Sequence, residues 1–134
     1  MGLTKAISLL GFKTHEEIAR IMEESHIFLL PSVTAINGDK EGIPNVLQEA
    51  QSMGMPVIST HHAGIPELIL DGKSGFLVKE RDVYSLSQRL TQLIENPTLW
   101  SAFGKTGRKY IEKKFNLQKQ VELLEKIYKE LIRS

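Results

Sequence analysis

Two glutamates, Glu41 and Glu49, bracket a seven-residue segment that could bind a phosphorylated sugar. The segment between them contains a proline and an asparagine, as expected where a helix begins. The start of a helix exposes unpaired N–H groups and a partial positive charge, and both favour a phosphate. Carboxylates beside such a site are better suited to accept hydrogen bonds from sugar hydroxyls. The pattern therefore predicts a site for a nucleotide sugar.

The same segment predicts the helix that positions these groups. Pro44 suits the first helical turn, because its missing N–H would have no partner there. Gly54 suits the position just after a helix end, and Pro56 prevents continuation. We therefore expect a helix from about Pro44 to Met53.

Glu49 and Glu41 should reach opposite ends of a diphosphate bound at the start of this helix. Helical side chains lean toward the N-terminus, so Glu49 points back toward whatever binds there. Asn45 lies four residues earlier and shares its face. Glu49 is then within reach of a ribose, and Glu41, outside the helix, is within reach of the donated sugar.

Further sequence blocks, in order along residues 6 to 130, extend the pattern. The chain resembles the retaining glycosyltransferases with two Rossmann-like domains (the GT-B fold, group 1), and in particular their C-terminal, donor-binding domain. Its sequence at residues 37–45 is most similar to that of bacterial enzymes of exopolysaccharide or lipopolysaccharide assembly. The blocks are Leu10-Gly11-Phe12, Ile27 to Ser32, the Glu41 to Glu49 segment with Ala50, Gly54, Pro56 and Val57, Gly64 to Leu68, Asp71 to Val78, Phe115, and a final helix ending near Tyr128.

The resemblance implies transfer of a sugar from a UDP-, GDP- or ADP-sugar to an acceptor hydroxyl, with anomeric retention. It assigns Glu41 the catalytic contact with the donor sugar and Glu49 the ribose. No metal is expected to hold the phosphates, and no cofactor is implied. Pro44 departs from the small residue found there in many relatives and removes one N–H donor. The resemblance then assigns binding of the donor sugar and diphosphate to Gly42, Ile43, Asn45 and Val46. It assigns binding of the base to the backbone near Gly11, Phe12 and Lys13.

The resemblance also implies parts of the enzyme that these residues do not supply. In relatives an Arg/Lys pair from the start of the same domain, upstream of the strand predicted here at 6–10, binds the diphosphate, and a separate N-terminal domain binds the acceptor. We expect residues 1–134 to be a single, incomplete nucleotide-sugar-binding domain of a longer protein, in which 117–133 form a C-terminal packing helix. This chain alone is then expected to be inactive as a transferase.

Composition is that of an ordinary globular domain. The chain is 41% hydrophobic and 25% charged, with a net charge of +1, which argues against a nucleic-acid-binding protein. It contains no cysteine, so a disulfide framework and cysteine-ligated metal sites are excluded. No apolar run approaches the length of a membrane span and no signal peptide is recognised. We expect a cytoplasmic protein, in at most peripheral contact with the inner face of the membrane.

Short apolar runs alternate with helical patterns, which predicts an α/β fold with a Rossmann-like parallel sheet flanked by helices. Thr14 and Glu17 predict a capping box, which starts a helix reaching about Glu24. The run 27–30 is continuous, as in a strand buried on both faces. Strands are predicted at 6–10, 27–30, 57–60 and 75–78, and helices at about 44–53, 65–70, 82–95, 97–104 and 117–132.

Other interpretations of these residues remain open. The chain could be a non-catalytic module that binds a nucleotide sugar or a partner protein, or part of a sugar-nucleotide epimerase. The two glutamates could be solvated charges or a hydrolytic pair. His61 and His62, without cysteine or an ordered carboxylate nearby, are more typical of a structural or solvated pair than of a metal site. The basic cluster from Lys105 to Lys114 is read first as a solvated face and second as a contact for anionic lipid headgroups.

An exposed strand edge is expected as well. If the family's two central strands lie outside this chain, the inner edge of the 27–30 strand is bare, and bare edges recruit other strands. We expect either pairing of 6–10 directly against 27–30 or self-association through the exposed edge.

Overall fold

Eight elements build the described part of the chain. The structure is a computed structural model, and it describes residues 6–31 and 45–133. In chain order the elements are α1 (His15–Glu23), β1 (Phe28–Leu30), α2 (Asn45–Ser52), β2 (Val57–Thr60), a 3₁₀ turn (Ile65–Glu67), β3 (Gly75–Val78), α3 (Val83–Glu95) and α4 (Thr98–Arg133).

The strands form a parallel sheet in the order β1-β2-β3. Val57 pairs with Phe28 on one side and Gly75 on the other, and the register continues to the strand ends. All four residues of β2 are buried, as expected for an apolar central strand covered on both faces. The predicted parallel sheet with flanking helices is confirmed.

Helices cover both faces of the sheet and enclose two apolar clusters. One cluster joins α1, α2 and the middle of α4 around Leu47, Val57 and Ile111. The other joins α3 and the start of α4 around Ile58, Phe76 and Leu93. Neighbouring residues of β2 therefore point to opposite clusters, and α4 contributes to both.

The predicted cap of α1 at Thr14 is confirmed, but the Glu17 carboxylate bonds the Thr14 hydroxyl where a capping box would bond the Thr14 backbone N–H. The Thr14 side chain accepts a hydrogen bond from the Glu17 N–H at 3.2 Å and donates one to Glu17 Oε1 at 3.0 Å. These bonds stabilise the first turn of α1. The sequence pattern predicts that Ile18, Ile21 and Met22 face inward, and of these only Met22 is buried.

The end of α2 matches the prediction and is closed by glycine. Gly54 has φ +78, and its N–H donates to the Gln51 carbonyl while the Met55 N–H donates to the Ala50 carbonyl. Gly104 of α4 packs directly on this turn, since a Cβ built on Gly104 would lie 2.0 Å from the Gly54 carbonyl oxygen. Close approach of two backbones therefore fixes α4 against the end of α2.

The strand predicted at 6–10 is wrong. These residues form no strand and are exposed, Leu9 to 96%. Strand hydrogen bonds need a neighbouring strand, and in the described residues β1 pairs with β2 alone, so 6–10 does not join the sheet. The predicted pairing of 6–10 with 27–30 is wrong for the same reason.

Burial of 27–30 on both faces is also wrong. Leu29 remains 38% exposed, while Phe28 and Leu30 pack on the first cluster. Leu29 points to the opposite face, where α3 and the start of α4 cover β2 and β3 but leave β1 partly open. Burial of a strand therefore depends on how far the covering helices extend.

Two helix predictions need correction. The helices predicted at 97–104 and 117–132 are one continuous helix, α4, because Gly104 and Gly107 are buried packing positions and not breaks. The apolar stripe of its second half is exposed at Leu117, Val121, Leu124, Tyr128 and Leu131, and its role in packing stays a prediction. The helix predicted at 65–70 is a single 3₁₀ turn.

Asp82 caps α3 and gives the fold a pH dependence. Its carboxylate accepts from the Ser85 N–H at 3.1 Å and from the Ser85 hydroxyl at 2.8 Å. These two bonds, and more weakly Lys79, hold the pKa of the Asp82 carboxyl below its ordinary value. The cap therefore stabilises the fold above the ordinary aspartate pKa of about 3.9 and is lost as the pH falls through the lower, folded value.

Asp82→Asn keeps an acceptor at the cap but does not titrate. We expect the parent chain to lose more stability than this variant when urea unfolding is compared at pH 7 and pH 3. The other carboxylates are common to both chains and cancel in the comparison. An equal loss in both chains would exclude Asp82 as a source of acid sensitivity.

Candidate functional site

The carboxyl ends of the three strands and the starts of α1 and α2 meet at one edge of the sheet. The strands end at Leu30, Thr60 and Val78. In open parallel α/β sheets this edge is where ligands bind. Of the predicted site residues, Glu41, Gly42 and Ile43 lie outside the described residues, as does Pro44.

Helix α2 begins at Asn45, and its packing decides which side chains face outward. Leu47, Ala50 and Gln51 are fully buried, and Gln51 Nε2 donates to the Leu68 carbonyl at 3.0 Å. The helix therefore cannot rotate without breaking this contact. Glu49, between these anchors, is held on the open side with its carboxylate 36% exposed.

Glu49 lies beside His15 at the first turn of α1. His15 Nε2 is 3.6 Å from Glu49 Oε1, and the imidazole is 77% exposed. Together they border a cleft of about 550 Å³ between α1, α2 and α4. Its lining residues are His15, Ala19, Gln48, Glu49, Ser52, Met53 and Phe115.

This arrangement can bind a diol. A carboxylate has two acceptor oxygens, which match two neighbouring hydroxyls, and the imidazole can donate or accept a further bond. Ala19, Met53 and Phe115 give the cleft an apolar wall. Sequence reasoning missed His15, although its position directly after the Thr14 cap places it at the same edge as Glu49.

The residues predicted to lie near the base do not line the Glu49 cleft. Gly11 has φ +65, a left-handed conformation that favours glycine, and so turns the chain before α1. Gly11 and Lys13 border a second cleft of about 330 Å³ beside β1, and Lys13 Nζ is 3.5 Å from Glu17 Oε2. Phe12 is almost fully exposed. The base assignment of these three residues stays a prediction.

The turn after β2 is tied to α4. The Tyr110 hydroxyl donates to the Glu67 carbonyl at 2.7 Å, and Lys114 Nζ donates to the same oxygen at 2.6 Å. With the Gln51 bond to Leu68, three side chains hold carbonyls at the end of the 3₁₀ turn. This segment of the edge is therefore rigidly placed relative to α2.

No group of three or more histidines, aspartates and glutamates in the described ranges could hold a metal ion. Within the same ranges, no helix is both long and apolar enough to cross a membrane.

A comparison with known families matches residues 1–110 to the family described as "Glycosyl transferases group 1". The chain belongs to this family. The resemblance drawn from the Glu41 to Glu49 segment and the flanking blocks is thereby confirmed at the level of the family.

Among curated relatives of this glycosyltransferase family, the chain is 41% identical over 129 residues to "Amylovoran biosynthesis glycosyltransferase AmsK" of Erwinia amylovora. The match covers 93% of this chain and 32% of that protein. The chain spans about a third of the length of the curated relatives it matches.

Solved glycosyltransferase structures share the fold. Sucrose-phosphate synthase from Thermosynechococcus elongatus superimposes with a TM-score of 0.79 at 23% identity, over 97% of this chain and 31% of its own. Anabaena Alr3699/HepE in complex with UDP gives a TM-score of 0.77 at 24% identity, over 93% and 34%. The chain therefore has the Rossmann-like fold of a partial GT-B domain.

Proposed function

We propose that this chain is the donor-binding part of a longer glycosyltransferase. The enzyme transfers a hexosyl group from a nucleoside-diphosphate sugar to an acceptor hydroxyl, with retention of the anomeric configuration. The observation that carries the proposal is Glu49, held one turn inside α2 by buried neighbours, with its carboxylate open to a cleft between α1, α2 and α4.

Each proposed site residue contacts one part of the donor: the diphosphate, the ribose or the transferred sugar. The backbone N–H groups of Asn45 and Val46 at the start of α2, with those of Gly42 and Ile43, face the diphosphate, where negative charge develops as the sugar leaves. Preorganised dipoles stabilise such charge without a metal. Glu49 accepts hydrogen bonds from the ribose, and Glu41 contacts the transferred sugar.

The names of similar proteins support the class of donor and product. Anabaena Alr3699/HepE has been solved with UDP and with UDP-glucose, and AmsK is named for amylovoran biosynthesis. We therefore place this chain in bacterial polysaccharide or lipopolysaccharide synthesis, with a UDP-, GDP- or ADP-sugar as donor. Such donors place the reaction on the cytoplasmic side of the membrane.

A titration with UDP, GDP and ADP, followed by ligand-observed NMR, tests the proposal on the 134-residue chain. We expect binding of one nucleotide in the millimolar range, about −4 kcal/mol, unchanged by EDTA, and no sugar transfer by this chain alone. Binding that requires a metal would contradict the proposed phosphate site. Absence of binding for all three nucleotides would contradict the donor-binding function.

The part of α4 that follows Gly104 is proposed to meet other surfaces. Residues 105–133 carry nine lysines and arginines against four glutamates, beside the exposed stripe that begins at Leu117. This combination of basic and apolar side chains supports peripheral contact with anionic lipid headgroups. Self-association through the edge of β1 that pairs with no strand among the described residues is the other proposed contact, and sedimentation velocity at several concentrations measures it.

A further inference from the structure

His15 is brought beside the Glu49 carboxylate by the packing of two helices. Helix α1 begins at His15, and Met22 near its other end is buried in the first apolar cluster. Leu47 of α2 lies in the same cluster, and a buried hydrogen bond of Gln51 fixes the rotation of α2. The positions of both helices are therefore set by buried contacts, and the side chains of His15 and Glu49 meet where these helices border the cleft.

The contact between the two side chains leaves both available to a ligand. His15 Nε2 lies 3.6 Å from Glu49 Oε1, which is longer than a hydrogen bond. In the part of the chain that the structure describes, neither side chain makes another polar contact. Hydrogen bonds to an oxygen atom are about 2.7–3.0 Å long, so one hydroxyl oxygen can lie within reach of both atoms at once. The pair therefore leaves room for a hydroxyl group that bonds to both.

A carboxylate and an imidazole recognise a hydroxyl group in complementary ways. The carboxylate can only accept, so it takes the proton of the hydroxyl, whereas an imidazole N–H donates to the hydroxyl oxygen. A methylene group at the same place makes neither bond and leaves both side chains without a partner from the ligand. A ribose carries two neighbouring hydroxyl groups, and each deoxy form replaces one of them by a methylene group. His15 and Glu49 are thus suited to select a ribose over a deoxyribose.

We propose that His15 is a specificity-determining residue for the donor nucleotide: its Nε2–H donates to the oxygen of one ribose hydroxyl whose proton Glu49 accepts, which favours ribonucleotides over their deoxy forms. The role rests on the proposed donor-binding function and adds a second side chain to the ribose site. Gln48 and Ser52, the other polar residues that line the cleft, lie on α2 with Glu49. Among the described lining residues, His15 is therefore the polar one that reaches the ligand from the opposite helix.

NMR titration of the 134-residue chain tests this role with whichever of UDP, GDP and ADP the parent binds, and with the 2′-deoxy and 3′-deoxy forms of that nucleotide. In His15→Ala we expect about a fivefold loss of affinity for the ribonucleotide, as for the loss of one hydrogen bond. The affinity for one of the two deoxy forms should stay unchanged, because that form lacks the hydroxyl that His15 binds. The other deoxy form should lose affinity as the ribonucleotide does.

Two further variants separate hydrogen bonding from a structural effect. His15→Gln should stay within twofold of the parent for the ribonucleotide, because its amide N–H still donates. His26→Ala removes an exposed imidazole between α1 and β1, outside the cleft, and should leave all three affinities within twofold.

Equal losses for the three nucleotides in His15→Ala, or a loss in His15→Gln as large as in His15→Ala, would overturn the role of His15. Unchanged affinities in His15→Ala would overturn this role and leave the proposed function intact. Absence of binding by the parent would overturn the proposed function and the role of His15 together.

Discussion

Gly104→Ala destabilises this domain by about 3 kcal/mol or more, at or beyond the upper end of the usual cost of overpacking. The added Cβ would lie 2.0 Å from the Gly54 carbonyl oxygen and 2.8 Å from its carbonyl carbon. Gly54 cannot retreat easily, because its left-handed backbone closes α2. Relief therefore requires α4 to move away from α2, which opens the first apolar cluster. Urea unfolding of the variant and the parent measures the difference.

Gly107→Ala is the matched control for this prediction. Gly107 lies on the same buried side of α4, but its added Cβ would meet the flexible Gln51 Oε1 at 3.2 Å and Ser74 Cβ at 3.4 Å. Small side-chain shifts absorb this contact, and alanine gains about 1 kcal/mol of helix propensity over glycine. We expect Gly107→Ala to stay within about 1 kcal/mol of the parent. Equal costs at both positions would show that the backbone contact at Gly104 does not control stability.

Glu49→Ala is expected to weaken nucleotide binding more than tenfold. Charge-assisted hydrogen bonds to the ribose contribute about 1.5–3 kcal/mol, and about 1.4 kcal/mol corresponds to a factor of ten. NMR titration of the nucleotide that binds the parent chain measures the change, with circular dichroism to verify the fold. Glu122→Ala removes the same charge from the exposed half of α4 and should leave binding unchanged. Unaltered affinity in a folded Glu49→Ala variant would exclude the ribose assignment.

Local chemistry predicted the elements whose ends are set by nearby residues. The Thr14 cap, the Gly54 turn and the apolar runs of β2 and β3 depend on neighbours in sequence, and all four appear as expected. The strand at 6–10 and the burial of Leu29 depend on neighbours in space, and both predictions were wrong. Apolar composition indicates that a segment can be buried, but it does not show whether another part of the structure covers that segment.

Glycine was the main source of error in the C-terminal helix. Gly104 and Gly107 resemble helix breaks in sequence, whereas in the structure they allow α4 to approach α2 and the loop near Ser74. A glycine in a helical pattern is compatible with either a helix end or a close contact between two backbones. Distinguishing the two requires knowledge of the surface against which the helix packs.

The candidate site was predictable only in part. The exposure of Glu49 follows from its place one turn inside α2, which the sequence pattern predicted. The approach of His15 to Glu49 joins residues 34 positions apart by tertiary packing. No short spacing in the sequence indicates this pair, so it could not be predicted from the pattern.

The length of α4 makes it a lever. Its last fully buried residue is Ile111, and 22 further residues continue to Arg133, which is about 33 Å of helix at 1.5 Å per residue. A tilt of about 5° at Ile111 would move the far end by roughly 3 Å. Tyr110 and Lys114, which donate to the Glu67 carbonyl, lie within one turn of Ile111, where such a tilt would begin. Binding of any partner to the far end of α4 would therefore displace the 3₁₀ turn after β2 through these two hydrogen bonds.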